Sequence, residues 1–135
     1  NEGTPVLEAA HHPVALPTGP EGLAGSTRLA AGTAQKIALN ALSTAVLVKL
    51  GGAYGNLMVG MAPTNEKLRG RAVDIVQQAT GAGEEEARQA LAAADQVVAV
   101  AIVIIRTGLD AAGARGLLEQ NGGRVRAALQ AHTRP

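Results

Sequence analysis

A stretch of eighteen residues, TAQKIALNALSTAVLVKL (Thr33–Leu50), carries only two charged side chains and ends at the Gly51-Gly52 pair. Its polar residues Lys36, Asn40, Ser43 and Thr44 recur at i, i+4, i+7 and i+8, which gathers them into one narrow stripe of a helix that is apolar elsewhere. Thr33 suits the N-cap and the glycine pair suits the stop. Such a helix needs cover on most of its sides, and 135 residues offer little to supply it. Either further sequence or a second copy is expected to cover it. Aromatics make up 1% of the chain, a single Tyr, so every buried contact must come from Ala, Val, Leu and Ile.

On either side of this helix the pattern differs. The proline-rich first 32 residues read as loop, apart from one short strand expected at His12-Pro13-Val14-Ala15-Leu16-Pro17, bracketed by prolines as an edge strand would be. Downstream, Asn65 caps an amphipathic helix in which Leu68, Ala72, Ile75, Val76 and Ala79 share a face, and Gly81 stops it. From there the chain repeats itself weakly at an offset of 27. Thr80-Gly81 matches Thr107-Gly108, Ala87-Arg88 matches Ala114-Arg115, Leu91 matches Leu118, Val98 matches Val125 and Ala101 matches Ala128. Residues 65–131 are therefore expected to form a bundle of about five short helices. VVAVAIVII (Val97–Ile105) has the β-branched content of a strand, but its place in the repeat predicts a buried helix. Its nine residues are too few to span a bilayer.

Charge and composition exclude several classes. A formal net charge of +1 with almost no aromatics argues against a nucleic-acid binder. The absence of cysteine removes disulfide and thiol chemistry. NEGTPVLEAAHH has no basic segment leading into an apolar run, so no signal peptide and no membrane anchor are expected, and the reading is a soluble intracellular protein. His11 and His12 are adjacent and lack a third ligand at metal spacing, so they read as solvated loop residues. Glu84-Glu85-Glu86 reads as an acidic first helical turn. Tyr54–Val59 and Thr64–Lys67 read as turn and cap chemistry between helices.

The stretch GPEGLAGSTRLAAGTAQK (Gly19–Lys36) is dense in Gly, Ser and Thr and runs into the apolar helix. Two readings stand. It is either a loop that holds an anionic ligand, with Ser26, Thr27 and Thr33 as hydroxyl donors and Arg28 or Lys36 as charge, or a flexible lead-in with a threonine cap.

GPEGLAGSTRLAAGTAQK, then LNALSTAVLVKLGGAYGNLMV, then TNEKLRGRAVDIVQQATG resemble, in that order, the C-terminal portion of the N-acetylmuramic acid 6-phosphate etherases. The related glucokinase regulatory protein shares the GPE…GSTR…AGT pattern. The resemblance runs from about Pro5 to Leu129. It implies the C-terminal remnant of an α/β sugar isomerase (SIS) domain over residues 1–62, with one short strand and a long helix, followed by a small helical domain over 63–135. The chain itself would be mainly α. The resemblance also implies a cytoplasmic homodimeric lyase without metal or cofactor. Such an enzyme splits the D-lactyl ether of its sugar phosphate into N-acetylglucosamine 6-phosphate and D-lactate during cell-wall recycling. Elimination there needs a glutamate base for the C2 proton and an acid for the departing lactate oxygen.

No glutamate here matches those positions, so the resemblance assigns no catalytic residue to this chain and implies no activity for the segment alone. What it does assign is a phosphosugar-binding set: Ser26, Thr27, Arg28, Thr33 and Lys36. Two positions depart from the family pattern. Ala31 stands where the family usually has lysine, and Gly60 where it tends to have an acid. A non-catalytic phosphosugar-binding regulatory protein and a helical dimerisation module are the alternatives.

Overall fold

In the computed structural model, which describes residues 3–134, the chain is mainly helical, with seven helices and one two-stranded sheet among the described residues. It divides into two compact units, Asn1–Ala45 and Val46–Pro135.

In the first unit a five-residue helix, α1 (Pro5–Ala9), precedes a long loop. Pro5 at its start costs nothing, because the missing N–H would have had no partner there. The strand expected over His12–Pro17 does not form: the segment is irregular, and the sheet lies elsewhere. Pro13 and Pro17 cannot donate to a ladder, and among the described residues no other strand of this unit is present to pair with it. The long helix, α2, runs Ala30–Lys49 and crosses the division between the units. It starts three residues before Thr33, which is therefore inside the helix and not its cap. The anion that satisfies the first turn comes from a distance: the N–H groups of Ala30 and Ala31 donate to the two carboxylate oxygens of Glu21, at 2.9 and 3.0 Å.

The second unit begins at Val46, inside the last turn of α2. Gly51 adopts φ +84, and a Cβ there would meet the carbonyl oxygen of Gly123 at 2.6 Å, so backbone packs directly on backbone. A small hairpin follows, with β1 (Ala53–Tyr54) antiparallel to β2 (Leu57–Met58) in the register Ala53↔Met58. Gly52 closes it by accepting from the N–H groups of Val59 and Gly60, and Val59 is buried.

The five expected helices are α3 (Glu66–Thr80), α4 (Glu84–Ala93), α5 (Val98–Thr107), α6 (Ala111–Gln120) and α7 (Val125–Thr133). Asn65 caps α3 by accepting from the Leu68 N–H at 2.9 Å. VVAVAIVII is helical, as its place in the repeat required: Val98, Val100, Ala101, Ile102 and Val103 are all buried, and α5 packs against α3, α4, α6 and α7. An apolar run surrounded on all sides satisfies its backbone most readily as a helix.

The repeat is structural as well as sequential. Helices α4 and α6, and the starts of α5 and α7, are offset by 27, and the paired residues Ala87/Ala114, Leu91/Leu118, Val98/Val125 and Ala101/Ala128 are all buried. Thr80 and Thr107 each donate their hydroxyl to the carbonyl four residues back, at 2.7 Å, and accept from the N–H two residues on. The breaks correspond too. Gly122 and Gly123 hold φ +64 and +73, and Asp95 and Gln96 hold φ +51 and +64 in the other copy. The Gln96 and Gly123 N–H groups donate to Leu91 and Leu118, each at 2.8 Å.

Candidate functional site

The glycine-rich stretch folds as a closed loop whose latch is Glu21. By binding two amides nine and ten residues away, its carboxylate ties the loop to the start of α2. Those two hydrogen bonds hold the Glu21 carboxyl below its usual range. Inside the loop the Ser26 N–H donates to Leu23, and the carbonyl of Thr27 accepts from Gly32 at 2.8 Å. A Cβ at Gly32 would stand 3.1 Å from that carbonyl, so a larger residue there would press on the turn.

The five expected binding residues fall in two groups. Ser26, Thr27 and Arg28 lie on the loop, Ser26 half-buried and the other two exposed. Thr33 and Lys36 lie on α2 three positions apart, hence on neighbouring turns of one face, and both are exposed. Of the five, Thr27 alone lines a cavity of about 490 Å³ within the first unit, together with Val14, Leu16, Thr18, Ala31 and Gln35 among others. Ala31 therefore borders the cavity as well as donating its N–H to Glu21. A lysine in its place would bring a cation to that wall.

Sequence reasoning missed Glu21. It weighed an external anion against a threonine cap at the α2 N-terminus, whereas an internal carboxylate accepts from its first amides. The glutamate of GPE, followed by a loop that returns to a helix start, was the available signal. Elsewhere, Glu84 of the acidic run pairs with Arg88 at 2.7 Å on the exposed face of α4, and His11 and His12 are exposed. Arg115 joins α6 to the α4–α5 break, donating to the Ala94 carbonyl at 2.9 Å and to Asp95 at 2.7 Å. The Arg126 guanidinium lies 5.9 Å from the Tyr54 ring centre, linking α7 to the hairpin. Gly60 has no room for the side chain that the family pattern suggests, since a Cβ would meet the Gly52 Cα at 2.9 Å. No single helix among the described residues is long and apolar enough to cross a membrane.

Comparison with known proteins decides the relationship. The chain is 51% identical over 134 residues to an N-acetylmuramic acid 6-phosphate etherase of Streptomyces avermitilis, covering 99% of this chain and 43% of that protein. It is 52% identical over 129 residues to one from Deinococcus radiodurans, covering 96% and 42%. The chain corresponds to the C-terminal part of these N-acetylmuramic acid 6-phosphate etherases. An Enterobacter etherase matches at 50% identity over 130 residues, 96% of this chain and 44% of the etherase. The chain thus spans less than half the length of the etherases it matches. No family model matches it.

Proposed function

We propose that the chain works as the C-terminal part of an enzyme that cleaves the D-lactyl ether of N-acetylmuramic acid 6-phosphate to N-acetylglucosamine 6-phosphate and D-lactate. The observation that carries this reading is the identity of about half the residues along almost the whole chain with proteins of that name. In this reading residues 1–62 complete a sugar isomerase domain, and 63–135 form the helical domain that follows it. Ser26, Thr27, Arg28, Thr33 and Lys36 contribute to the sugar-phosphate site. The proton-transfer residues lie in the etherase length outside the match, so these 135 residues do not turn the substrate over by themselves. The assembled enzyme is a cytoplasmic homodimer.

The test is D-lactate release from the sugar phosphate. The chain alone should release none, and the chain joined behind the unmatched segment of the Streptomyces avermitilis etherase should release it. Turnover by the chain alone, or none by the joined protein in a folded state, refutes the proposal. One observation favours a second reading, a non-catalytic phosphosugar-binding protein: Ala31 leaves the cavity wall without the cation that the family pattern places there. If so, the joined protein binds N-acetylglucosamine 6-phosphate without turnover, and Ala31→Lys tightens that binding.

A further inference from the structure

Residues 21–31 carry three of the five expected binding residues, yet no apolar packing holds them in place. None of them is buried, and Leu23 and Leu29 are 66% and 52% exposed. Gly22 and Gly25 add backbone freedom, Gly25 at φ +83, and a Cβ on either would meet nothing within 4 Å. Backbone hydrogen bonds from the Ser26 N–H to the Leu23 carbonyl and from the Gly32 N–H to the Thr27 carbonyl turn the chain locally. Closure of the whole loop falls to one side chain. Among the described residues, the loop's only side-chain hydrogen bonds are those that Glu21 accepts from the N–H groups of Ala30 and Ala31. Both are charge-assisted, so a single carboxylate supplies two of the stronger kind of hydrogen bond.

The same contact bears on where an anion can sit. The first amides and the positive end of α2 would suit a phosphate, but Glu21 already fills them. A phosphate there would have to displace a carboxylate or lie beside one. Given an etherase site that takes a sugar phosphate, which is the reading this rests on, we propose that Glu21 is a positioning residue for it. Glu21 holds the loop closed, so that Ser26, Thr27 and Arg28 are presented together before the substrate arrives. It also keeps the α2 amides filled, so that the phosphate is taken by those side chains and not by the helix end. Ala31 borders the same cavity as Thr27, so release of its N–H would free part of the cavity wall as well. A substrate that meets an unlatched loop must bear the cost of ordering it. The bound substrate and the transition state need the ordered loop equally, so the loss falls on KM and not on kcat.

The experiment uses the chain joined behind the unmatched segment of the Streptomyces avermitilis etherase, unsubstituted and with Glu21→Ala or Glu21→Gln. Amide exchange in α3–α7 reports that each protein has folded. Glu21→Ala should raise KM for N-acetylmuramic acid 6-phosphate by about tenfold or more, with kcat retained to within about threefold. Glu21→Gln keeps one acceptor oxygen and should fall between the two; where Glu21→Ala does not fold, a KM raised by about threefold or more in Glu21→Gln carries the test. Without ligand, the heteronuclear NOEs of residues 22–29 should drop in Glu21→Ala. An unchanged KM overturns the inference, and so does a loss confined to kcat or a loop equally ordered without Glu21. Tighter binding by Glu21→Ala overturns it in favour of a phosphate on the α2 amides. A folded, unsubstituted joined protein without turnover is a failure of the enzymatic reading instead. The same proteins are then compared for binding of N-acetylglucosamine 6-phosphate: a Kd weakened about tenfold by Glu21→Ala supports the inference, and no binding by the unsubstituted protein overturns both.

Discussion

The close approach of Gly51 to the Gly122–Gly123 break makes a quantitative prediction. Gly51→Ala places a Cβ 2.6 Å from the Gly123 carbonyl oxygen and 2.8 Å from its carbon, both of them backbone atoms that cannot rotate away. It also places an alanine at φ +84. The conformational penalty alone is about 1–2 kcal/mol, and forced separation of packed atoms adds about 1–3 kcal/mol. Gly108→Ala supplies the control. Its φ is +73, and nothing stands within 4 Å of the added Cβ. Both replacements also stiffen the unfolded chain equally, so that contribution cancels in the difference. Gly51→Ala should therefore be less stable than Gly108→Ala by about 1–3 kcal/mol. Urea unfolding followed by circular dichroism at a helical wavelength measures it, and the midpoints should differ by about 0.5–3 M for a slope near 1–2 kcal/mol per M. Equal midpoints would show that the turn after α2 moves aside freely, and would refute the packed-backbone reasoning.

Three other outcomes are expected. Gln96→Gly should raise stability by about 0.5–1 kcal/mol, because it gives the first break the residue type that the second already has at Gly123; thermal melting checks it, and a loss would refute the equivalence. Leu91→Ala should cost about 2–5 kcal/mol, since Leu91 is 2% exposed in the middle of the core; chemical denaturation reads the loss. Glu21 should give the first turn of α2 an acid-sensitive step. A carboxyl whose folded pKa is lowered stabilises above its ordinary value of 4.5 and loses that contribution as pH falls through the folded value, so the Ala30 and Ala31 amide resonances should shift below about pH 4.5, and Glu21→Gln should abolish the shift.

Signals within a few residues of one another were readable without coordinates. Asn65 and Leu68, the Thr-Gly stops at 80–81 and 107–108, and the apolar spacing of α3 to α7 are local, and each appears where the pattern put it. The repeat also resolved the ambiguous run at Val97–Ile105, because its register with Val125 and Ala128 carries more information than β-propensity. The non-local features were not readable. The cap on α2 comes from Glu21, nine residues upstream, so the nearest threonine drew the reading instead. The strand expected at His12–Pro17 needed a neighbour that the described residues of this unit do not supply. The hairpin at Ala53–Met58 has two residues per strand, too few to show alternation. The sequence showed a glycine-rich lead-in to a helix, but not the internal carboxylate held at that helix end.

The position of α5 has a consequence for how this molecule can be dissected. By sequence it closes the first copy of the repeat, yet it packs against both helices of the second copy as well as against α3 and α4. A cut between the copies therefore does not yield two halves of equal standing. The piece ending at Thr107 would keep its central helix but lose one wall of its core. The piece beginning at Ala111 would be left with α6 and α7, two helices of ten and nine residues without the surface that hides Leu118, Val125 and Ala128. Duplicated in pattern, the bundle is indivisible in practice, and a trimming experiment should find one folding unit where the sequence displays two.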